Sequence, residues 1–156
     1  MKTYQKGFSL IELLIVVAII LIIAAIAIPN LLRSRMAANE ASAVGSLRTI
    51  NTACVTYSTT YGIGFPSSLG ALGTSGAVSS TSAQLIDNVL AGGAKSGYTF
   101  TYAAGAAAGG VIPTYSVNAN PITPGQTGQR YFFTDQSGVL RFNVSAAATV
   151  SDSPLQ

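Results

Sequence analysis

A long apolar run near the start of the chain most constrains what this sequence can fold into. Residues 8–28 contain only two polar side chains, Ser9 and Glu12. As an α-helix at about 1.5 Å per residue the run extends roughly 31 Å, about the thickness of one bilayer core. A carboxylate at the centre of a membrane helix costs on the order of 2.5–3.5 kcal/mol, and less near an end. Glu12 therefore needs a partner, which makes it a candidate functional residue.

Two ordinary interpretations of this run are a secretory signal peptide and a plain signal anchor. Lys2 and Lys6 form a basic start, and residues 25–27 resemble a small-x-small cleavage site, which favours a signal peptide. The apolar run is longer than the usual stretch of about 7–15 residues, however, and it contains Glu12. A plain anchor with its lysines left in the cytoplasm fits the length but leaves the carboxylate unexplained.

The segment Lys-Gly-Phe-Ser-Leu-Ile-Glu-Leu at residues 6–13 resembles the class III signal sequence of type IV pilins and pseudopilins. The resemblance implies that residues 1–7 are a leader, and that a prepilin peptidase cuts between Gly7 and Phe8 and methylates the new N-terminal Phe8. It extends through Pro29, where such helices commonly bend or loosen. It implies no cofactor.

The resemblance also supplies a partner for Glu12. Cleavage creates an α-amine on Phe8, which is positively charged at neutral pH. In a bundle of apolar helices this amine can pair with Glu12 of a neighbouring subunit. Two unit charges about 4 Å apart attract by roughly 4 kcal/mol at an effective dielectric constant near 20, which is enough to offset burial of the carboxylate. We expect Glu12 to set the register between copies of the chain.

The apolar helix, residues 8–29, is followed by a predicted amphipathic helix over residues 30–61. Its buried face repeats every three or four residues: Leu32, Met36, Ala43, Leu47, Ile50, Cys54 and Tyr57. A kink or local unwinding is expected at Pro29, because proline lacks an amide hydrogen and disfavours helical geometry in the preceding residue. Arg33 and Arg35 follow the membrane run, and we expect them to contact lipid head groups, Glu40 or solvent.

A globular β-sheet domain is predicted over residues 62–156. A period of two indicates four short strands, near residues 98–102, 115–117, 131–133 and 139–142, with a hairpin turn at residues 135–138. Residues 67–94 are predicted to be a linker-like αβ-loop with one short helix at 82–90, and the tail from Ser145 to be extended or loosely held. An antiparallel sheet of about four strands on the amphipathic helix is an α+β arrangement, in agreement with the pilin fold that the resemblance implies.

Composition narrows the function classes. The chain has no His and one Cys, Cys54, so it cannot build Ser-His-Asp or Cys-His catalysis, a usual zinc site or an intramolecular disulfide. Many type IV pilins close a C-terminal loop with a disulfide, and this sequence departs from that pattern. From Ser58 onward basic and acidic side chains balance, so no basic patch favours nucleic acid. We predict no enzyme, no metal and no cofactor.

These observations favour a type IV pilin, held in the bacterial inner membrane as a precursor and then polymerised into an extracellular pilus. Adhesion, twitching motility or DNA uptake would follow from the filament. The implied partners are further copies of the chain, the prepilin peptidase and the inner-membrane assembly machinery with its ATPases. Two alternatives remain: a pseudopilin that builds the periplasmic piston of a type II secretion system, and a single-pass membrane-anchored enzyme or binding module.

Overall fold

One helix dominates the structure. The computed structural model describes residues 8–155, and helix α1 runs from Leu10 to Tyr61. It ends at Gly62, which has a φ of 67° and donates its backbone N–H to the Ser58 carbonyl at 3.0 Å. A glycine in the left-handed region is a common helix terminus, and the predicted stop is confirmed. The chain divides into two compact units at the Arg35–Met36 junction.

Helix α1 continues through Pro29 without interruption. The local unwinding expected there is therefore absent. Proline removes one backbone hydrogen bond and crowds the preceding turn, at a cost of about 3 kcal/mol in a helix interior. The intact turns on both sides of Pro29 outweigh this local cost. The Ser34 hydroxyl also donates to the Asn30 carbonyl at 3.0 Å, directly after the proline.

In the second unit, one face of α1 forms one side of the hydrophobic core. The buried apolar side chains on this face are Ala43, Leu47, Ile50, Ala53, Cys54 and Tyr57. They belong to one cluster with the inward-facing side chains of the sheet: Tyr98, Phe100, Tyr115, Val117, Ala119 and Phe132. From Ala43 onward the predicted buried face is confirmed, and the α+β architecture with it.

The sheet has five antiparallel strands in sequential order, one more than predicted. They are β1 (Ala94–Lys95), β2 (Tyr98–Ala104), β3 (Tyr115–Pro121), β4 (Tyr131–Asp135) and β5 (Arg141–Asn143). In β3 the buried positions alternate with half-buried ones, as expected for a sheet with one face on a core. The missed strand, β1, has two residues, too few to show a period of two.

The hairpin between β4 and β5 is present where the sequence predicts it. Gly138 has a φ of 74° and donates its N–H to the Asp135 carbonyl at 2.9 Å. Only glycine adopts this backbone region at no steric cost, which explains the residue at this position.

The αβ-loop differs from its prediction as a linker with a helix at 82–90. It contains a 3₁₀ turn (Leu69–Leu72) and a short helix α2 (Asn88–Ala91), and it places Leu72 and Leu90 in the core. Residues 83–86 are irregular instead of helical, because their backbone N–H groups pair with the carbonyls of residues 71–73, as in the 2.8 Å bond from Leu85 to the Leu72 carbonyl. Asp87 then caps α2 by accepting the Leu90 N–H at 2.9 Å.

The tail is also more ordered than predicted. Phe142 donates its N–H to the Ser153 carbonyl at 3.1 Å, and the Leu155 N–H reaches the Leu140 carbonyl at 2.7 Å. Ala148 is buried, and its carbonyl accepts the Asn118 side-chain amide at 2.8 Å. The tail therefore covers the free edge of β5, which would otherwise offer unpaired backbone groups.

Cys54 is expected to resist thiol reagents while the protein is folded. Its side chain is fully buried, and burial raises the pKa of the thiol to about 12 against the weaker opposite effect of hydrogen bonds from Tyr102 and Tyr115. The thiolate fraction at pH 8 then falls on the order of 10³-fold below that of a free cysteine. A disulfide reagent should modify one thiol per chain in guanidinium and almost none in buffer. Fast modification in buffer would contradict the buried position.

Candidate functional site

The start of α1 is fixed by two hydrogen bonds, in which the side chains of Ser9 and Glu12 each accept a backbone N–H. The Ser9 hydroxyl oxygen accepts the Ile11 N–H at 3.3 Å, and the Glu12 carboxylate accepts the Ser9 N–H at 2.9 Å. This is a capping box, in which two backbone donors that the helix leaves open are satisfied by side chains. Glu12 therefore has a local role in the single chain, which the sequence analysis did not anticipate.

Besides the capping bond, Glu12 has no cationic partner in the described part of the chain. Within residues 8–155 the two salt bridges join Lys95 to Asp87 and Arg130 to Glu40, and neither involves Glu12. The carboxylate projects from a helix surface made of leucine, isoleucine and valine side chains that are themselves exposed. By length and composition α1 can cross a membrane. A negative charge on such a surface favours a cationic partner from outside the chain.

The other predicted site residues occupy different places. Phe8 is 75% exposed and lies directly before the cap. Pro29 lies within α1, 17 residues beyond Glu12 or roughly 25 Å along the helix, so the structure does not bring it to the cap. Gly7 and the rest of the predicted leader lie outside the described residues.

Comparison with known proteins shows what this N-terminal segment is similar to. The model of the family described as "Prokaryotic N-terminal methylation motif" matches residues 2–28. The type IV major fimbrial protein FimA of Dichelobacter nodosus is 52% identical over 58 residues, which are 35% of this chain and 37% of FimA. The N-terminal segment of this chain therefore carries the methylation motif and is similar to the corresponding part of type IV pilus subunits.

A second relative agrees with this pilin assignment. The type IV wide pilus major component PilA4 of Thermus thermophilus is 69% identical over 35 residues, which are 22% of this chain and 27% of PilA4. The chain spans about a third of the length of the curated relatives it matches. No solved structure gives a match.

Beyond the N-terminal motif, a partly buried ion pair ties α1 to the segment just before β4. Glu40 is buried, and its carboxylate accepts the backbone N–H of Gln129 at 2.8 Å, the N–H of Arg130 at 3.2 Å and the Arg130 Nε–H at 2.7 Å. The Arg130 guanidinium lies 5.4 Å from the centre of the Phe132 ring. Burial raises the pKa of Glu40, but the hydrogen bonds from Gln129 and Arg130 together outweigh it and hold the pKa below its usual value.

From the sequence, Glu40 was predicted as a possible partner for Arg33 or Arg35, and its role in holding the domain together was not predicted. The structure corrects this, because the Glu40 carboxylate is already occupied by three donors from residues 129 and 130. A signal was present in the sequence. Position 40 falls between Met36 and Ala43 on the buried face, and a carboxylate at a core position requires a partner.

Polar contacts hold the tail against β5. Asp152 accepts the Asn143 side-chain amide at 2.8 Å and the Thr149 N–H at 2.7 Å, and the Arg141 Nη1 donates to the Asp152 carbonyl at 2.9 Å. The hydrogen bonds from Thr149 and then Asn143 lower the pKa of Asp152. The tail is therefore closed without a covalent link.

The described residues offer little for catalysis or metal binding. Between Phe8 and Leu155 no three His, Cys, Asp or Glu side chains lie close enough to hold a metal ion. Two surface depressions are open grooves of about 340 Å³ each, one beside α1 and one at the end of β2 and β3. The described structure instead presents an apolar helix with one carboxylate, Glu12, that is held in place by its capping hydrogen bond.

Proposed function

We propose that this chain is the structural subunit of a type IV pilus. The observation that carries the proposal is the first part of α1, whose leucine and isoleucine side chains are exposed around a single capped carboxylate within a pilin methylation motif. Exposed apolar surface of this extent needs lipid or other copies of itself. The similarity to relatives named as major pilus components favours other copies of the chain as what covers this surface.

Processing is the first step of the proposed function. A prepilin peptidase removes residues 1–7 by cutting between Gly7 and Phe8, and then methylates the Phe8 amine. The family motif over residues 2–28 supports this step. The capping box begins one residue after the proposed cut, so the new amine is held close to the start of α1.

Assembly is the second step. Residues 8–29 leave the inner membrane for a bundle of identical helices, residues 30–61 carry the domain, and residues 62–156 form the outer surface. Glu12 pairs with the Phe8 amine of a neighbour, and the roughly 4 kcal/mol of attraction at 4 Å depends on correct stagger between subunits. The carboxylate acts as a register device, like a buried polar residue in a coiled coil.

The proposed location and partners follow from these steps. The precursor resides in the bacterial inner membrane with the assembly machinery and its ATPases, and the mature subunit is in the extracellular pilus. Adhesion, twitching motility or DNA uptake are properties of the filament, and the subunit itself is not an enzyme.

Mass analysis of filaments sheared from the source cells tests the proposal. We expect an abundant chain that begins at N-methylated Phe8 in long fibres. The same N-terminus confined to the cell envelope would contradict a pilus subunit, and an uncut chain or a start near Ile28 would contradict the family-based processing. Electron microscopy of the same preparation checks that the mass signal comes from fibres.

A further inference from the structure

Two charged positions at the ends of the apolar part of α1 are separated by about the thickness of a bilayer core. Residues 13–32 carry no charge, and their one polar side chain is Asn30. Because α1 continues through Pro29 without interruption, the helical rise applies across the whole interval. Glu12 and Arg33 are therefore roughly 31 Å apart along the axis, and a hydrocarbon core is about 30 Å thick. A bilayer that covers the apolar interval places one of these residues at each of its boundaries.

A second arginine lies in the same layer. Arg35 is about 3 Å further along the axis than Arg33, and the head-group region extends roughly 5–7 Å beyond the hydrocarbon core on each side. Both side chains are exposed. Positions two residues apart are about 200° apart around a helix, so the two side chains leave α1 on nearly opposite sides. Each arginine can therefore contact a different lipid molecule.

Neither Arg33 nor Arg35 takes part in a salt bridge within residues 8–155. Glu40, the intramolecular candidate, is bound to Arg130. Both guanidinium groups thus present their N–H donors outward. A phosphate group is an acceptor that this planar fork matches with two parallel hydrogen bonds.

The depth of the two arginines favours a lipid phosphate. Leu31 and Leu32 are exposed and continue the apolar surface up to Arg33. With that surface in hydrocarbon, the next layer along α1 is the layer of lipid phosphates, and long basic side chains extend to it from a helix end. The phosphate of a zwitterionic lipid is compensated by the cation of the same head group. An anionic phospholipid offers a net negative charge and is therefore the better partner.

We propose that Arg33 and Arg35 bind the phosphate groups of anionic phospholipids at the membrane face from which residues 30–61 emerge, and thereby fix the depth of α1 while the subunit is stored. This inference rests on the membrane stage of the proposed function. The same depth places Glu12 at the opposite boundary, where a carboxylate costs less than at the bilayer centre. The arginines set the register of one chain in the bilayer, whereas Glu12 sets the register between copies.

Lipid selectivity tests the contact with the full chain. The chain is reconstituted in phosphatidylcholine vesicles with a minor share of phosphatidylglycerol, and spin-labelled lipids of both kinds report which one contacts α1. We expect phosphatidylglycerol to be preferred roughly fivefold at each arginine, and high salt to weaken the preference. In Arg33→Gln/Arg35→Gln the two lipids should bind equally. Glutamine is a good helix former, so α1 is retained in this variant.

Arg48→Gln is the matched control for each single variant, because it removes a likewise exposed charge from the second half of α1. It should leave the preference unchanged, and Arg33→Lys/Arg35→Lys should keep most of it because the charges remain. An unchanged preference in the double glutamine variant would overturn the proposal, and loss of filaments in that same variant would then assign the arginines to a contact between copies. A wild-type chain that does not insert into the vesicles would instead refute the membrane stage of the proposed function.

Fluorescence quenching measures the depth of α1 directly. The chain has no tryptophan, so Leu32→Trp provides a single reporter beside Arg33. In the same vesicles, lipids brominated near the head group should quench the reporter more strongly than lipids brominated near the ends of the acyl chains. Adding Arg33→Gln and Arg35→Gln should let the reporter move towards the bilayer centre, so that the deeper bromines quench more. The same quenching profile with and without the arginines would refute their role in setting the depth.

Discussion

Alanine at position 12 is expected to lower pilus assembly on the order of a hundredfold or more while the chain stays in the membrane. The substitution removes the proposed attraction of roughly 4 kcal/mol to the neighbouring Phe8 amine, and each 1.4 kcal/mol corresponds to a factor of ten. It also removes the cost of placing a carboxylate in lipid, so membrane insertion of the precursor should be unaffected or improved. Sheared filament and membrane-bound subunit are quantified in the same cells.

The Glu12→Gln substitution tests the charge of residue 12 separately from its role in capping α1. Glu12→Gln keeps an oxygen that accepts the Ser9 N–H and therefore keeps the start of α1, but it cannot pair with a cation. If charge sets the register, Glu12→Gln assembles as poorly as Glu12→Ala. Near-normal filaments from Glu12→Gln would assign the residue to helix capping alone. The Ser9→Ala variant, which removes the other half of the cap, should assemble better than either.

Glu40→Ala is expected to have the largest effect on the stability of the domain. It leaves the Arg130 guanidinium and the N–H groups of Gln129 and Arg130 without their acceptor. The unmet donors and the broken, partly buried ion pair cost roughly 2–4 kcal/mol in the free energy of unfolding. For a domain of this size that lowers Tm by on the order of 10 °C. Thermal unfolding of the full chain in detergent, followed by near-ultraviolet circular dichroism, measures it.

The Glu40 carboxylate also makes the stability of the domain depend on pH. The pKa of Glu40 is lowered in the folded state from an ordinary value of 4.5, so its contribution is fully present above pH 4.5 and is lost as pH falls through the lowered value. Glu40→Gln should therefore lie closest to the wild type in strong acid and furthest below it near neutral pH. A difference that does not change with pH would show that the ion pair contributes nothing through its charge.

The layout of the fold was accessible from the sequence because its signals are local. A helical period from Ala43 to Tyr57 and a period of two in β2 and β3 each follow from side chains that alternate between core and solvent. The αβ-loop was not accessible in the same way. Leu85 and its neighbours have a helical pattern, yet their backbone pairs with Leu72, a contact made only once the chain has folded.

The residues of the candidate site differ in the same way, because some can be predicted from the local sequence and others cannot. Phe8 and Glu12 stand out in the sequence because a carboxylate in an apolar run is costly wherever the run goes. Position 40 can be placed on the buried face from the sequence, but its partner, Arg130, lies 90 residues later and cannot be identified without the structure. The order of the tail depends on Asn143 and Asp152 in the same way. Ion pairs and caps between distant segments need coordinates before they can be assigned.

The uncrosslinked tail has a consequence for where the domain can fold. A pilin domain closed by a disulfide requires an oxidising environment or an oxidase before its last segment is fixed. In this chain the tail is fixed by Arg141, Asn143 and Asp152, and the one thiol is sealed in the core. Folding of its domain therefore needs no disulfide bond and should proceed equally well in an oxidising and in a reducing compartment.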